Sequence, residues 1–207
     1  MSLNSRMWPF LLIFLCSCAT PRVNPNMELM SESEYQATLF KYSDKKQVYD
    51  GLHAIMDVAG TLINSKVADA QLNQNARLYQ WNQYVFNTEK TKQEAKMIKE
   101  TEIFLSFFSP ERKHDDLAKP KTLWKFFLDI KGHRYEGKVT KMKTILAEVL
   151  SLYPHHNRWS TPYKVVFPVP ISGIENEPST FTITGPVGST TLSFKEIQKE
   201  IQKEIQK

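Results

Sequence analysis

Apolar positions change their spacing several times along the chain, and each change marks a different kind of element. Residues 8–15 are apolar throughout except for Pro9. Further on, Ser31 and Glu34 form a capping-box pair, and Tyr35, Leu39 and Tyr42 follow at helical spacing, so a short helix is predicted. Over residues 48–62 the period falls to two. Leu52, Ala54, Met56 and Val58 share one face, and His53, Ile55, Asp57 and Ala59 the other. This predicts one strand with Gly51 and Gly60 near its ends. Asn64 or Ser65 can cap the next helix, which carries Ala68, Leu72, Ala76 and Tyr79 on one stripe. Asn87-Thr88 reads as a break, and Thr91 with Glu94 as a second capping box before Ala95 and Ile98. A helical hairpin over about residues 64–100 is the result.

The second half changes character. No proline occurs over residues 27–109, whereas eight of the eleven fall from Pro110 onward, as expected of strands broken by turns. Residues 103–108 form a largely apolar run ending at Ser109-Pro110. Trp124, Phe126, Leu128 and Ile130 alternate with Lys125 and Asp129 and turn at Lys131-Gly132. Residues 133–140 are expected to pair back as one strand, with Tyr135 and Val139 inward. Residues 141–150 fit either a helix or a strand. Residues 163–169 and 181–194 read as strands, the second bent at Gly185-Pro186-Val187-Gly188. The pattern predicts an α+β, mainly β fold: an immunoglobulin-like β-sandwich over residues 31–194 with an inserted helical hairpin.

Two terminal segments lie outside that domain. Residues 195–207 are three copies of Lys-Glu-Ile-Gln and a final Lys. Ile197, Ile201 and Ile205 recur every four residues, too few and too regular for a coiled coil, so a frayed low-complexity tail is expected. At the other end, Arg6 precedes the apolar run and small residues follow it, the layout of a secretory signal peptide. The run is far shorter than the ~20 residues that span a bilayer.

Leu15-Cys16-Ser17-Cys18 resembles the lipobox of bacterial lipoproteins: an aliphatic residue at Leu15, a small one at Ser17, then the cysteine that takes a diacylglyceryl thioether. The resemblance implies a signal peptide over 1–17, lipidation at Cys18, and a tether over 18–30 that carries Pro21 and Pro25. It also implies two or three acyl chains, enough for stable anchoring where one is marginal. Ala19 after the cysteine, rather than Asp, implies sorting to an outer membrane. Cleavage after Ala19, releasing a soluble exported protein, is the other reading. With Cys16 removed and Cys18 lipidated, neither of the two cysteines is left for a disulfide, and a packed core must supply stability.

Charge narrows the partners. Removing residues 1–17 takes away one arginine and no acid, so the formal +5 becomes +4. That is too weak and too unclustered a basic character for nucleic acid. The expected partners are the membrane, through the N-terminal lipid, and another envelope protein or a cell-wall polymer.

Candidate chemistry is sparse. The sequence has no Gly-x-Ser-x-Gly elbow, Walker loop or dinucleotide fingerprint, so no cofactor and no catalytic residue is assigned. His114-Asp115-Asp116, His133 and His155-His156 lack the i,i+4 spacing that places two ligands on one helix face, so no metal is expected. A metal-assisted periplasmic hydrolase using His114, His133 or His155 is the alternative to a non-catalytic structural or binding role. The most distinctive stretch is residues 152–163, where His155, His156, Arg158 and Trp159 could form an exposed platform for carbohydrate or a partner. The competing reading packs Tyr153, Trp159 and Tyr163 over the sandwich end.

Several of these features occur together: residues 104–110, Trp124 with Leu128, Tyr153-Pro154, Trp159, Tyr163, Val165, Phe167-Pro168, and Gly185-Pro186 with Gly188. In this combination, over residues 48–194, the chain resembles a group of bacterial envelope lipoproteins with no assigned activity. The resemblance implies a lipid-anchored envelope domain facing the periplasm or the cell surface, and carries no catalytic residue with it.

Overall fold

Residues 103–108 are apolar toward both sides, and both sides are covered. The computed structural model describes residues 27–175 and 177–194. The predicted signal peptide, Cys18, most of the tether and the Lys-Glu-Ile-Gln tail lie outside the described residues. In chain order the elements are α1 (Glu32–Lys41), β1 (Ser43–Asp50), β2 (His53–Ile63), α2 (Ser65–Leu78), α3 (Gln83–Met97), β3 (Thr101–Phe108), β4 (Lys125–Ile130), β5 (His133–Glu136), β6 (Lys138–Lys141), α4 (Leu146–Leu152), β7 (Thr161–Phe167), β8 (Ser179–Gly185) and β9 (Gly188–Phe194). The strands form two antiparallel sheets, ordered β1-β2-β3-β7-β6 and β5-β4-β8-β9. The fold is α+β and mainly β.

β3 is central to the larger sheet. Its Ile103, Leu105 and Phe107 join Phe126, Leu128, Phe181 and Ile183 of the smaller sheet in one core. Phe104, on the opposite face, joins Tyr35 and Leu39 of α1, Val67 and Ala68 of α2, and Val149 and Tyr153 at α4. A strand buried on both faces reads as continuous apolar sequence, which is why this run showed no alternation. The large sheet therefore lies between the small sheet and a helical layer.

Local chemistry sets the helix starts. Ser31 Oγ accepts from the Glu34 amide at 3.3 Å and Glu34 accepts from the Ser31 amide at 2.9 Å, completing the expected capping box of α1. Asn64 caps α2, its side chain accepting from the Val67 amide at 2.9 Å. Residues 141–150, ambiguous in sequence, lead into α4. Among the described residues no helix is long and apolar enough to cross a membrane.

Two expectations are corrected. The strand expected over 48–62 instead spans the turn of a hairpin: residues 48–50 end β1 and residues 53–62 belong to β2, the two pairing from Ser43↔Thr61 to Asp50↔His53, with Gly51 turning the chain at φ 57. β1 is an edge strand, with Lys45 and Lys46 exposed, so its side chains carry no apolar pattern to read. Residues 133–140 are likewise two strands in different sheets. β5 pairs with β4, β6 pairs with β7, and Gly137 is the corner between them. A Cβ on Gly137 would lie 2.6 Å from the Phe167 ring, so glycine alone lets the chain pass that close. The Gly137 amide also donates to Phe126 O at 2.8 Å, anchoring the corner to β4. At the opposite edge, the Ser193 amide of β9 donates to the Asp44 carboxylate of β1 at 2.9 Å.

Candidate functional site

The four residues proposed as a surface platform separate into two pairs. Arg158 and Trp159 stand on the loop after α4, Trp159 with 63 % of its surface exposed. The Asn157 side chain accepts from the amides of Trp159 and Ser160 at 2.9 and 3.0 Å, which holds the loop tip in a tight turn. The Arg158 guanidinium lies 5.5 Å from the Trp159 ring centroid, and Arg112 donates to the Trp159 carbonyl at 3.2 Å. Arg112 also contacts Asp115 at 3.3 Å, whose carboxylate accepts from Thr161 at 2.5 Å and Tyr163 at 3.0 Å. This pair is on the surface, whereas Tyr153 is buried in the helical layer and Tyr163 between the sheets.

His155 and His156 turn inward, onto the outer face of the large sheet. His156 is 4 % exposed, with Nδ1 2.7 Å from Ser106 Oγ of β3. His155 Nε2 lies 3.3 Å from Thr61 Oγ1, which in turn lies 2.7 Å from Ser43 Oγ. Both rings meet Phe104 edge-on, at centroid distances of 5.8 and 6.0 Å. His156 therefore belongs to the interior and takes no part in an exposed platform. Burial pushes both imidazoles down, His155 to about 4 with further help from His156 and Lys45. Each also carries a ring nitrogen, His155 Nδ1 and His156 Nε2, with no hydrogen-bond partner among the described residues.

The other histidines stand apart. His114 lies 3.4 Å from Glu111 in a charged loop, and His133 is exposed at the start of β5 in the smaller sheet. Among the described residues no group of three or more His, Cys, Asp or Glu side chains could hold a metal ion.

A second site was not singled out in the sequence. A groove of about 310 Å³ runs between α2, α3 and the start of β3. Ile63, Leu72 and Met97 give it apolar walls; Gln71, Asn75 and Gln93 bring side-chain amides, and Trp81 an indole. Its ionic groups are paired: Lys92 with Glu89 at 2.6 Å, and Lys96 with Glu102 and with Glu100, the latter at 4.0 Å. Glu102 also meets Lys164 of β7 at 3.4 Å, which ties the groove to the sheet. No serine, cysteine or histidine stands among the lining residues.

Trp81 is placed by two adjoining helix caps. α2 ends with the Tyr79 amide donating to Asn75 O at 2.8 Å and the Trp81 amide to Ala76 O at 3.0 Å, with Gln80 at φ 50 between them. This is the Schellman arrangement, whose left-handed position is normally glycine. Two residues on, the Asn82 side chain accepts from the Val85 amide at 2.9 Å and starts α3. Tyr79 and Trp81 stack at 6.2 Å with 19° between their planes. The break expected at Asn87-Thr88 does not occur: α3 runs unbroken from Gln83 to Met97, with the Thr88 and Thr91 hydroxyls bonded back to Tyr84 O and Asn87 O. The signal for the true break was Asn82 three residues before Val85, directly behind two aromatics. Because Gln80 carries a side chain in left-handed backbone, Gln80→Gly should raise stability by about 0.5–1 kcal/mol, read as a higher urea midpoint at unchanged slope.

α3 buries no residue fully, so the groove wall it forms is held by its caps, the ion pairs and partial contacts. The arrangement brings together a flat aromatic, planar amides and paired charges. No family model matches the chain, and neither a curated protein nor a solved structure does.

Proposed function

We propose that this chain is a lipid-anchored protein of the bacterial envelope, held in the outer membrane through Cys18, whose domain binds a partner and does not catalyse a reaction. The anchoring half is carried by one observation: Leu15-Cys16-Ser17-Cys18 directly behind a short apolar run. Where the folded part begins adds support. Residues 27–30 run along α2, the Met30 amide donating to Asn73 at 3.1 Å and Arg77 donating to the Met30 carbonyl. Eight residues lie between Cys18 and Met27, nine backbone steps with a reach of about 30 Å at most. A lipid on Cys18 would therefore keep the helical layer and its groove close to the membrane. The binding half is supported by that groove, whose lining is suited to holding a ligand. The partner is another envelope protein or a cell-wall polymer.

For the frame, the immunoglobulin-like reading rests on two antiparallel sheets sharing one core. The passage of β5 into β6 through Gly137 and the Asp44–Ser193 bond between β1 and β9 favour a sandwich joined at both edges.

The test of anchoring is direct. Cys18→Ala should abolish acylation and move the protein from the membrane to the soluble fraction, while Cys16→Ala should leave it in place. Continued acylation of Cys18→Ala would overturn the proposal.

A further inference from the structure

We infer that the groove between α2 and α3 takes a neutral saccharide, one or two sugar rings of a longer strand, with Trp81 as its platform. The inference rests on the domain being a binding module and names what that module binds. Size sets the first limit: about 310 Å³ is at the small end of ligand sites, enough for a short sugar segment whose ends leave through the open groove. Surface chemistry sets the second. A pyranose ring offers a patch of C–H bonds on its face and hydroxyls around its edge. The Trp81 indole can take the face, and the amides of Asn75 and Gln93 can donate to and accept from the edge. Gln71 already gives its amide nitrogen to the Tyr153 hydroxyl at 2.9 Å, which leaves its oxygen as an oriented acceptor.

Charge weighs against the competing ligand classes. The lining holds Glu89, Glu100 and Glu102 against Lys92 and Lys96, and both lysines are already paired with carboxylates. An anionic ligand would face three carboxylates with no unpaired ammonium to meet it. A cationic one would have to compete with Lys92, Lys96 and Lys164 for the carboxylates they hold. An acyl chain would strip water from the amides and ion pairs without replacing their hydrogen bonds. A hydroxylated, uncharged ligand avoids all three costs.

The exposed Trp159 provides an internal comparison, since it too carries an indole at the surface. It sits on a loop tip beside Arg158, outside the groove lining, with none of the groove's amides around it. Trp124 is a buried reference, its indole N–H bonded to His114 O at 3.0 Å. These three of the chain's four indole N–H resonances thus report on groove, loop and core separately.

The experiment uses the full chain, isotope-labelled and purified in detergent micelles, titrated with chitotriose, a linear neutral trimer of N-acetylglucosamine. The Trp81 indole signal should shift saturably with millimolar affinity while those of Trp159 and Trp124 stay fixed. Trp81→Ala should weaken binding by about tenfold or more, and Trp81→Tyr, which keeps a flat ring, should stay within about threefold of the natural chain. No saturable shift at Trp81, or binding unaffected by Trp81→Ala, overturns the inference. So does a shift centred on Trp159. A sulfated trisaccharide or an uncharged Gly-Ser peptide that moves Trp81 where chitotriose does not also overturns it, while leaving a binding module in place. Anchoring is read on the Cys18→Ala chain in parallel, so its failure is seen separately from that of sugar binding.

Discussion

Phe104→Ala should lower the stability of the domain by about 3–5 kcal/mol, seen as a large fall in the urea midpoint with little change in slope. Phe104 is 1 % exposed and lies under the helical layer, where α1, α2 and α4 meet the large sheet. Its ring stacks on Tyr153 at 3.5 Å with 3° between the planes, and both histidines meet it edge-on. Alanine would remove all three ring contacts at once. It would also leave a hole that cannot collapse readily, because Tyr153 is fixed from the other side by Gln71 at 2.9 Å. Phe104→Leu keeps most of the volume and should cost less than about 1.5 kcal/mol. If the alanine variant fell by less than leucine does, the helical layer would not be held through this ring.

What the sequence made legible was what its own neighbours decide. The capping box of α1 needs only Ser31 and Glu34, and the alternation from Trp124 to Ile130 needs only the residues between them. Two failures are local, the β1–β2 hairpin and the helix break at Asn82, and the others involve partners far along the chain. β1 is a strand because β2 pairs with it, and its exposed lysines give no apolar rhythm to announce that. Gly137 is a corner because Phe167, thirty residues later, would collide with any side chain there. A histidine pair behind a proline reads as a surface turn. Ser106 and Thr61, from strands remote in sequence, turn it into part of the interior. The groove was hidden for the same reason. Trp81 stands in a visible helix break, but Glu102, whose pairing with Lys96 closes the wall, comes from the next strand. Residues 152–163 left two readings open, and the structure divides them: Trp159 is exposed on its loop, whereas Tyr153 and Tyr163 are buried.

The buried histidines make a prediction about acid that can be separated from ordinary carboxylate titration. In the unfolded chain His155 and His156 take up protons near pH 6.5. In the folded chain burial holds both lower, His155 to about 4. The groups facing His155 do not relieve this. Lys45 comes from β1 and His156 lies beside it, both opposing a second positive charge, and the Tyr153 hydroxyl is itself pushed up by burial and stays neutral. Between the folded and unfolded values the unfolded state binds more protons, so stability must fall as pH falls. The stabilisation is complete above about pH 6.5 and is lost progressively on the way down to about 4. At about 1.4 kcal/mol per unit, the His155 gap alone corresponds to about 3 kcal/mol. His156 adds in the same direction. Urea unfolding at pH 7 and pH 4 should therefore show a fall in the natural chain that shrinks by about 3 kcal/mol in His155→Gln, whose amide can still meet Thr61 without taking a proton. His156→Gln should reduce the fall with the same sign. An equal fall in the natural chain and in His155→Gln would mean that this imidazole is not excluded from water when the domain is folded, and the buried placement of the pair would have to be abandoned.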